Sequence, residues 1–384
     1  MTEAYLEIKN LKKRFGKLWA LREVNLKIEK GEYIVILGPT GAGKTTLLKI
    51  IAGLVKPTSG EIYKSTQLLN HIAPENRNLA YLPQTSDYSL FPYMDVWENT
   101  IFSPKMKGEK PYDEIRSLCD EILDMVNLRA RYNAFPDELS GGMKQRVALA
   151  RAIAADADIF LFDEPLRALD ARLRIKLRTE VKKLVTDLNK TTLHVTHDFE
   201  EAVSIADKII IINKGEIVQF DTPEDIYNYP TSLFSAYFFG ETNLLAAKRL
   251  ERKNGTYFVQ IKNHVLAVEN IRSNNSTKTK KNDKNEVVIA IKADKIHITP
   301  QNTIEKETDS YNYFHGVVSH SYYLGKWVNL EVTVEGISKD IKVAIPSSEL
   351  MKYKIGTNVI LYVSIDDMEC FEEPWSRIRK MEAA

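Results

Sequence analysis

Lys44 and Thr45 end the run GPTGAGKT, residues 38–45, in which small residues lead into a cation and a hydroxyl. That spacing suits phosphate binding. Gly38, Pro39, Thr40, Gly41, Ala42 and Gly43 let successive backbone N–H groups turn inward around an anion, and the start of the following helix adds positive charge. Lys44 then neutralises the β and γ phosphates of a nucleotide, while Thr45, with Thr46 beside it, offers a hydroxyl to Mg²⁺. Farther along, the apolar run IFLF ends in Asp163 and Glu164. A carboxylate at a strand's carboxyl end is a Mg²⁺-side acid, and the next residue, pointing differently, can act as general base on an attacking water. A third element is LSGGMKQR, residues 139–146. Ser140, Gly141 and Gly142 precede strong helix formers, so they read either as a second anion-binding helix start or, for Ser140, as an ordinary N-cap.

The elements that must position these groups form an α/β pattern. Up to about residue 240, strand-like runs at Tyr33–Leu37, 159–162, 192–196 and 208–212 alternate with helical patterns at 44–54, 142–154, 171–189 and 199–206. In the basic helix 171–189, Leu173, Leu177 and Leu184 are the expected core side, and the charged face reads as solvated. After residue 240 the texture becomes short alternating segments at 257–261, 287–291, 317–318, 328–334, 341–345 and 359–365, the mark of a small all-β domain. Residues 272–286, RSNNSTKTKKNDKNE, are expected to form a flexible loop.

With 384 residues and 44% hydrophobic content, the chain can fill two cores. Its 53 basic and 52 acidic residues leave a net charge of +1, which removes any global electrostatic reason to expect nucleic acid as a partner. Cys119 and Cys370 form neither a metal spacing nor a disulfide framework. His194 and His197, three apart on a strand, face opposite sides and lack further ligands, which argues against zinc. No apolar run approaches the roughly 20 residues of a spanning helix, and the amino terminus reads as a strand rather than a signal peptide.

The ordered set GPTGAGKT, LPQ (82–84), LSGGMKQR, IFLFDEP (159–165), ALD (168–170) and VTHD (195–198) resembles the ATP-binding subunit of ABC transporters over roughly residues 5–240. The resemblance implies a P-loop NTPase cassette, a mixed sheet plus a helical subdomain at about 86–155, with ATP and Mg²⁺ as cofactors. It implies that Phe15 stacks on adenine, that Gln84 senses Mg²⁺ and the membrane partner, that Asp170 lies in the nucleotide-binding set, and that His197 bonds the γ-phosphate from the same side as Lys44. Ser140 and Gly142 would hold the γ-phosphate of ATP bound to an opposite cassette, so that two cassettes close head to tail over two ATP molecules. One position departs from the pattern. Relatives commonly read SALD where this chain has RALD, so Arg167 stands at the expected dimer interface and leaves open a homodimer or a heterodimer.

The stretches DTPEDIYNYP (221–230) and FFGETN (238–243) resemble the junction in importer ATPases that carry a C-terminal OB/TOBE-like domain, here residues 241–384. That group serves sugars, polyamines, glycerol derivatives, ferric ion and oxyanions. Membrane permease subunits would dock near residues 84–101, where Phe91, Tyr93 and Trp97 suit a docking surface, although Trp97 fits core packing equally well. An extracytoplasmic solute-binding protein would join through the complex, at the cytoplasmic face of the membrane. A soluble, non-transport ABC ATPase is the alternative; the single cassette and lack of heptads favour transport.

Overall fold

The run YIVIL at Tyr33–Leu37 is rich in β-branched residues and apolar throughout, the composition of a strand covered on both faces, and all five residues are buried. The computed structural model describes residues 4–85, 89–253, 255–273, 285–301 and 308–382. They divide into two compact units, Met1–Pro223 and Glu224–Ala384.

In the first unit Tyr33–Leu37 lies inside a six-stranded sheet ordered Glu216–Asp221, Lys208–Asn213, Tyr33–Leu37, Thr191–Val195, Ile159–Asp163, Leu79–Leu82. All but the antiparallel edge strand Glu216–Asp221 run parallel. The register sets Val195 beside both Ile36 and Asp163, so the chain leaves three strands at the same edge. Ligands of parallel sheets bind at such an edge. A four-stranded antiparallel sheet of Leu18–Ile28, Leu6–Phe15, Ser59–Lys64 and Gln67–Leu68 shares one core with it, through Leu6, Ile8, Val24, Ile36, Leu47 and Ile210.

Helices Val96–Lys107, Tyr112–Met125 and Gly141–Ala154 pack together. The first opens with a capping box in which Asp95 and Glu98 satisfy each other's backbone N–H groups. Helix Ala171–Asp187 buries Leu177, Val181 and Val185 together with Arg178. This corrects the expected core side: Leu173 and Leu184 are only partly buried, because the i, i+4, i+8 stripe that meets the sheet starts at Leu177.

The second unit contains a six-stranded and a five-stranded sheet. Strand Trp327–Val334 buries every second residue, Val328, Leu330, Val332 and Val334, and these join Val259, Ile289 and Leu361 in one core. Strand Tyr311–Tyr323 is far longer than the segment that alternation marks, and strand Thr242–Lys253 extends the set. The unit is not purely β: helices Leu233–Phe238 and Ser376–Glu382 belong to it. Most of the loop expected at 272–286 lies outside the described residues. Its first residue, Arg272, belongs to the short strand Ile271–Arg272 and makes a two-point ion pair with Glu369 at 2.8 and 3.0 Å.

Asp156 ties the helical part to the sheet. Its carboxylate accepts from Lys110 at 2.7 Å and Lys190 at 2.8 Å, and Lys107 reaches its carbonyl at 3.3 Å. Burial acts to raise its pKa, but the two ammonium groups outweigh burial and bring it down to about 2. The folded value lies below the ordinary 3.8, so the pair's stabilisation is complete above that value and is lost as the pH falls toward 2. Asp156→Asn should therefore lower stability at pH 7 by about 1–2 kcal/mol. Thermal unfolding followed by circular dichroism should show that deficit shrinking as the pH falls through about 2.

Candidate functional site

Glycine is required twice in the 38–45 loop for a stated reason. Gly43 has φ 107°, and a Cβ there would stand 2.5 Å from the Ala20 carbonyl. At Gly38 a Cβ would stand 2.2 Å from the Ile212 carbonyl. The loop leads into helix Lys44–Ile51, whose Leu47, Leu48, Ile50 and Ile51 are buried. Arg77 caps the far end of that helix, donating to the carbonyls of Ile50 at 3.1 Å and Ile51 at 2.7 Å. Lys44 turns its ammonium into the loop and donates to the carbonyls of Gly38 at 2.6 Å and Pro39 at 2.9 Å. Burial lowers its pKa, with Glu164 and Asp163 opposing the shift.

Across the strand ends, Thr45 Oγ1 donates to Asp163 Oδ1 at 3.1 Å. Asp163 is buried, and desolvation raises its pKa, reinforced by the Glu164 charge and opposed by the Thr45 and Tyr81 hydroxyls and by Lys49. The Thr45 hydroxyl and the Asp163 carboxylate are hard-oxygen donors of the kind Mg²⁺ takes, and Gln84 reaches the neighbouring Glu164. These residues fit that ion.

Glu164 has φ 52°, a left-handed conformation that costs a non-glycine residue about 1–3 kcal/mol. The surrounding bonds hold it there: its N–H donates to the Val195 carbonyl at 2.9 Å, and its carbonyl accepts from Gln145 Nε2 at 3.0 Å. The kink separates its side chain from that of Asp163. Oε1 meets His197 Nε2 at 2.6 Å, while Oε2 accepts from Gln84 Nε2 at 2.8 Å and Arg167 Nη1 at 2.9 Å. Thr40, Gln84, Glu164, Arg167, Arg174 and His197 line one cleft of about 460 Å³.

Behind His197 the Thr196 hydroxyl donates to Glu201 at 2.6 Å and accepts from the Asp198 N–H at 3.1 Å, which fixes the turn that presents the imidazole. His194 faces the other way. It is buried, pairs with the Tyr33 hydroxyl at 2.9 Å, and burial takes its pKa down to about 3, so it stays neutral and belongs to the core.

Other sequence-selected residues stand apart from this cleft. Phe15 is half exposed at the end of strand Leu6–Phe15, with the Lys13 ammonium 4.7 Å from its ring centre. Ser140 is the N-cap of helix Gly141–Ala154 and accepts from the Met143 N–H at 3.3 Å; Gly141 is exposed beside it. At Gly142 a Cβ would come within 3.1 Å of the Ala168 carbonyl, so the helix start lies close against the turn that carries Arg167. Asp170 caps helix Ala171–Asp187, accepting from the Leu173 N–H at 3.0 Å. Trp97 is buried and stacks on Tyr132 at 4.7 Å, whereas Phe91 is 38% and Tyr93 92% exposed. Trp97 is therefore core. Sequence reasoning missed Gln145, whose buried amide joins the Glu164 carbonyl to the Ala168 N–H at 2.8 Å. Its only signal was its place inside LSGGMKQR.

A glycine-rich loop opening a helix, a paired Asp–Glu strand end and a histidine turn meet at one sheet edge, the arrangement of a nucleotide-hydrolysing P-loop ATPase of cassette type. Residues 21–167 match the family model described as ABC transporter. The chain is 38% identical over 320 residues to the spermidine/putrescine import ATP-binding protein of Thermotoga maritima, covering 83% of this chain and 84% of that one. It is 42% identical over 249 residues to the sulfate/thiosulfate import ATP-binding protein of Pectobacterium atrosepticum, covering 64% and 75%. The dimeric ATP-binding cassette MJ0796, solved with ADP and phosphate after hydrolysis, matches with a TM-score of 0.52 at 35% identity, over 56% of this chain and 98% of that one. The chain belongs to the ABC transporter family, as an ATP-binding subunit.

Lys44→Ala should weaken ATP binding about 10- to 100-fold, the loss of one or two bonds to a charged group. Equilibrium titration with a fluorescent ATP analogue measures it; an unchanged Kd would overturn the phosphate-loop assignment.

Proposed function

We propose that this chain is the ATP-hydrolysing subunit of an importer, held at the cytoplasmic face of the membrane by permease subunits and driven by closure of two cassettes over two ATP molecules. The single observation that carries the reading is the convergence of Gln84, Glu164 and His197 at the strand ends beside Lys44, Thr45 and Asp163. Among the described residues no helix is long and apolar enough to cross a membrane. Relatives whose names state import of spermidine/putrescine, sulfate/thiosulfate or Fe(3+) support the direction of transport; the solute itself is chosen by other chains of the complex.

In this reading the backbone of residues 38–43 and Lys44 hold the β and γ phosphates, and Phe15 stacks on adenine. Thr45, Asp163 and Gln84 would hold Mg²⁺, which would neutralise phosphate charge when bound. Glu164 accepts a proton from the water whose oxygen bonds to the γ-phosphorus as the bond to the ADP oxygen breaks. His197 donates to the γ-phosphate. Ser140 and Gly142 complete the site of a partner cassette, a second copy or a related chain. Exposed Phe91 and Tyr93, within 84–101, offer the permease an aromatic surface; residues 86–88 lie outside the described residues. The β-rich C-terminal residues, 241–384, act as a TOBE-like regulatory domain.

Glu164→Gln should keep ATP affinity and lower steady-state hydrolysis by roughly 10²- to 10⁴-fold, while ATP traps a dimer visible by size-exclusion chromatography. Turnover near the wild-type rate would remove Glu164 from the role of base.

A further inference from the structure

Three donors engage the Glu164 carboxylate, which offers about four lone-pair sites. His197 occupies Oε1, and Gln84 and Arg167 share Oε2. A general base needs a free lone pair directed at its water. Two of the three donors have other work once nucleotide is bound, in the reading above: Gln84 toward Mg²⁺ and His197 toward the γ-phosphate. Arg167 has none.

Its reach is built into the turn. The Arg167 N–H lies 3.4 Å from the Glu164 carbonyl, and the guanidinium folds back over the three-residue loop to the carboxylate. Gln145 fastens both ends of the loop, donating to the Glu164 carbonyl and accepting from the Ala168 N–H. Arg174 Nη2 holds the carbonyls of Leu169 at 2.9 Å and Arg167 at 3.3 Å. The backbone is thus pinned while the Arg167 side chain stays 66% exposed, against 8% for Glu164. An anchored, solvent-facing arm of this kind can be drawn away without disturbing the core. Gly142, in the first turn of helix Gly141–Ala154, abuts the Ala168 carbonyl of the same loop. The cassette surface that meets a partner in the reading above is therefore contiguous with the loop that carries the arm.

We propose that Arg167 is a positioning residue that holds the Glu164 carboxylate turned toward the loop through Oε2 after the other two donors have left, and that turnover is slowed while the guanidinium stays there. The proposal rests on Glu164 being the base. Because the guanidinium is largely exposed, the restraint is modest, and removing it should raise kcat about two- to fivefold, the range of an exposed ion pair. ATP affinity does not pass through Oε2.

The test is steady-state ATP hydrolysis by the purified full-length chain, comparing wild type with Arg167→Ser, Arg167→Met and Arg167→Lys. Both the Ser and the Met variant should raise kcat two- to fivefold with KM for ATP within a factor of two, and Lys, which still reaches the carboxylate, should return kcat to near the wild-type value. A merely structural role would not produce that split or that rescue. Unchanged or lower kcat in the Ser and Met variants, or a change confined to KM, would overturn the proposal. Glu164→Gln assayed alongside separates the two readings. If it remains active, the assignment of the base fails and this inference with it; if it is inactive while Arg167→Ser matches wild type, only the inference fails.

Discussion

The alignment of three parallel strand ends is the constraint on which the site depends. Val195 lies beside both Ile36 and Asp163, so the phosphate loop, the acidic pair and the histidine turn leave the sheet at one level. Period-two geometry makes such registers unforgiving, since a slip by one residue would reverse every side chain. Burial enforces this one. Tyr33–Leu37, Ile159–Asp163 and Thr191–Val195 are buried along their whole length.

At that edge the protein holds charge where water would otherwise screen it. Lys44 and Asp163 are both buried, and desolvation shifts each toward its neutral form, opposed at Lys44 by the Glu164 and Asp163 charges and at Asp163 by the Thr45 hydroxyl and Lys49. Such groups gain from a polyanion and a divalent cation more than exposed ones do, because the surroundings no longer dilute the interaction. The left-handed backbone of Glu164 belongs to the same economy: its strain is balanced by the Val195 and Gln145 hydrogen bonds, and in return two adjacent carboxylates serve different partners.

Gln145 shows how the segment LSGGMKQR contributes within its own chain. Its amide joins the Glu164 carbonyl to the Ala168 N–H, so the helix that begins at Gly141 is fastened to the turn bearing the acid. Asp156, with Lys110 and Lys190, fastens the helical part near the opposite end of the same helix. Two ties at separated points let a group of helices hold its orientation while the cleft between Gln84, Arg167 and His197 stays open to solvent.

Local chemistry made much of this legible. Residues 38–45, Asp163 and Glu164 are singled out by residue type and short-range spacing and His197 by the family resemblance, and the strands of the sheet announce themselves by continuous apolar runs. The core side of helix Ala171–Asp187 did not, because three leucines fit a helical stripe as well as Leu177, Val181 and Val185 do, and only the neighbouring sheet selects between them. The same holds for Trp97, which Tyr132 claims for the core, and for the second unit, where alternation marked the buried centres of strands but not the lengths that pairing across Tyr311–Tyr323 imposes. The amino-acid sequence by itself determined which groups can take part in the proposed chemistry, since each must have the right atoms at the right step from a strand end. Tertiary structure alone decided which of them share a carboxylate: Gln84, Arg167 and His197 meet on Glu164 because strand register and a left-handed turn bring them there, and neither is written in any local run of residues.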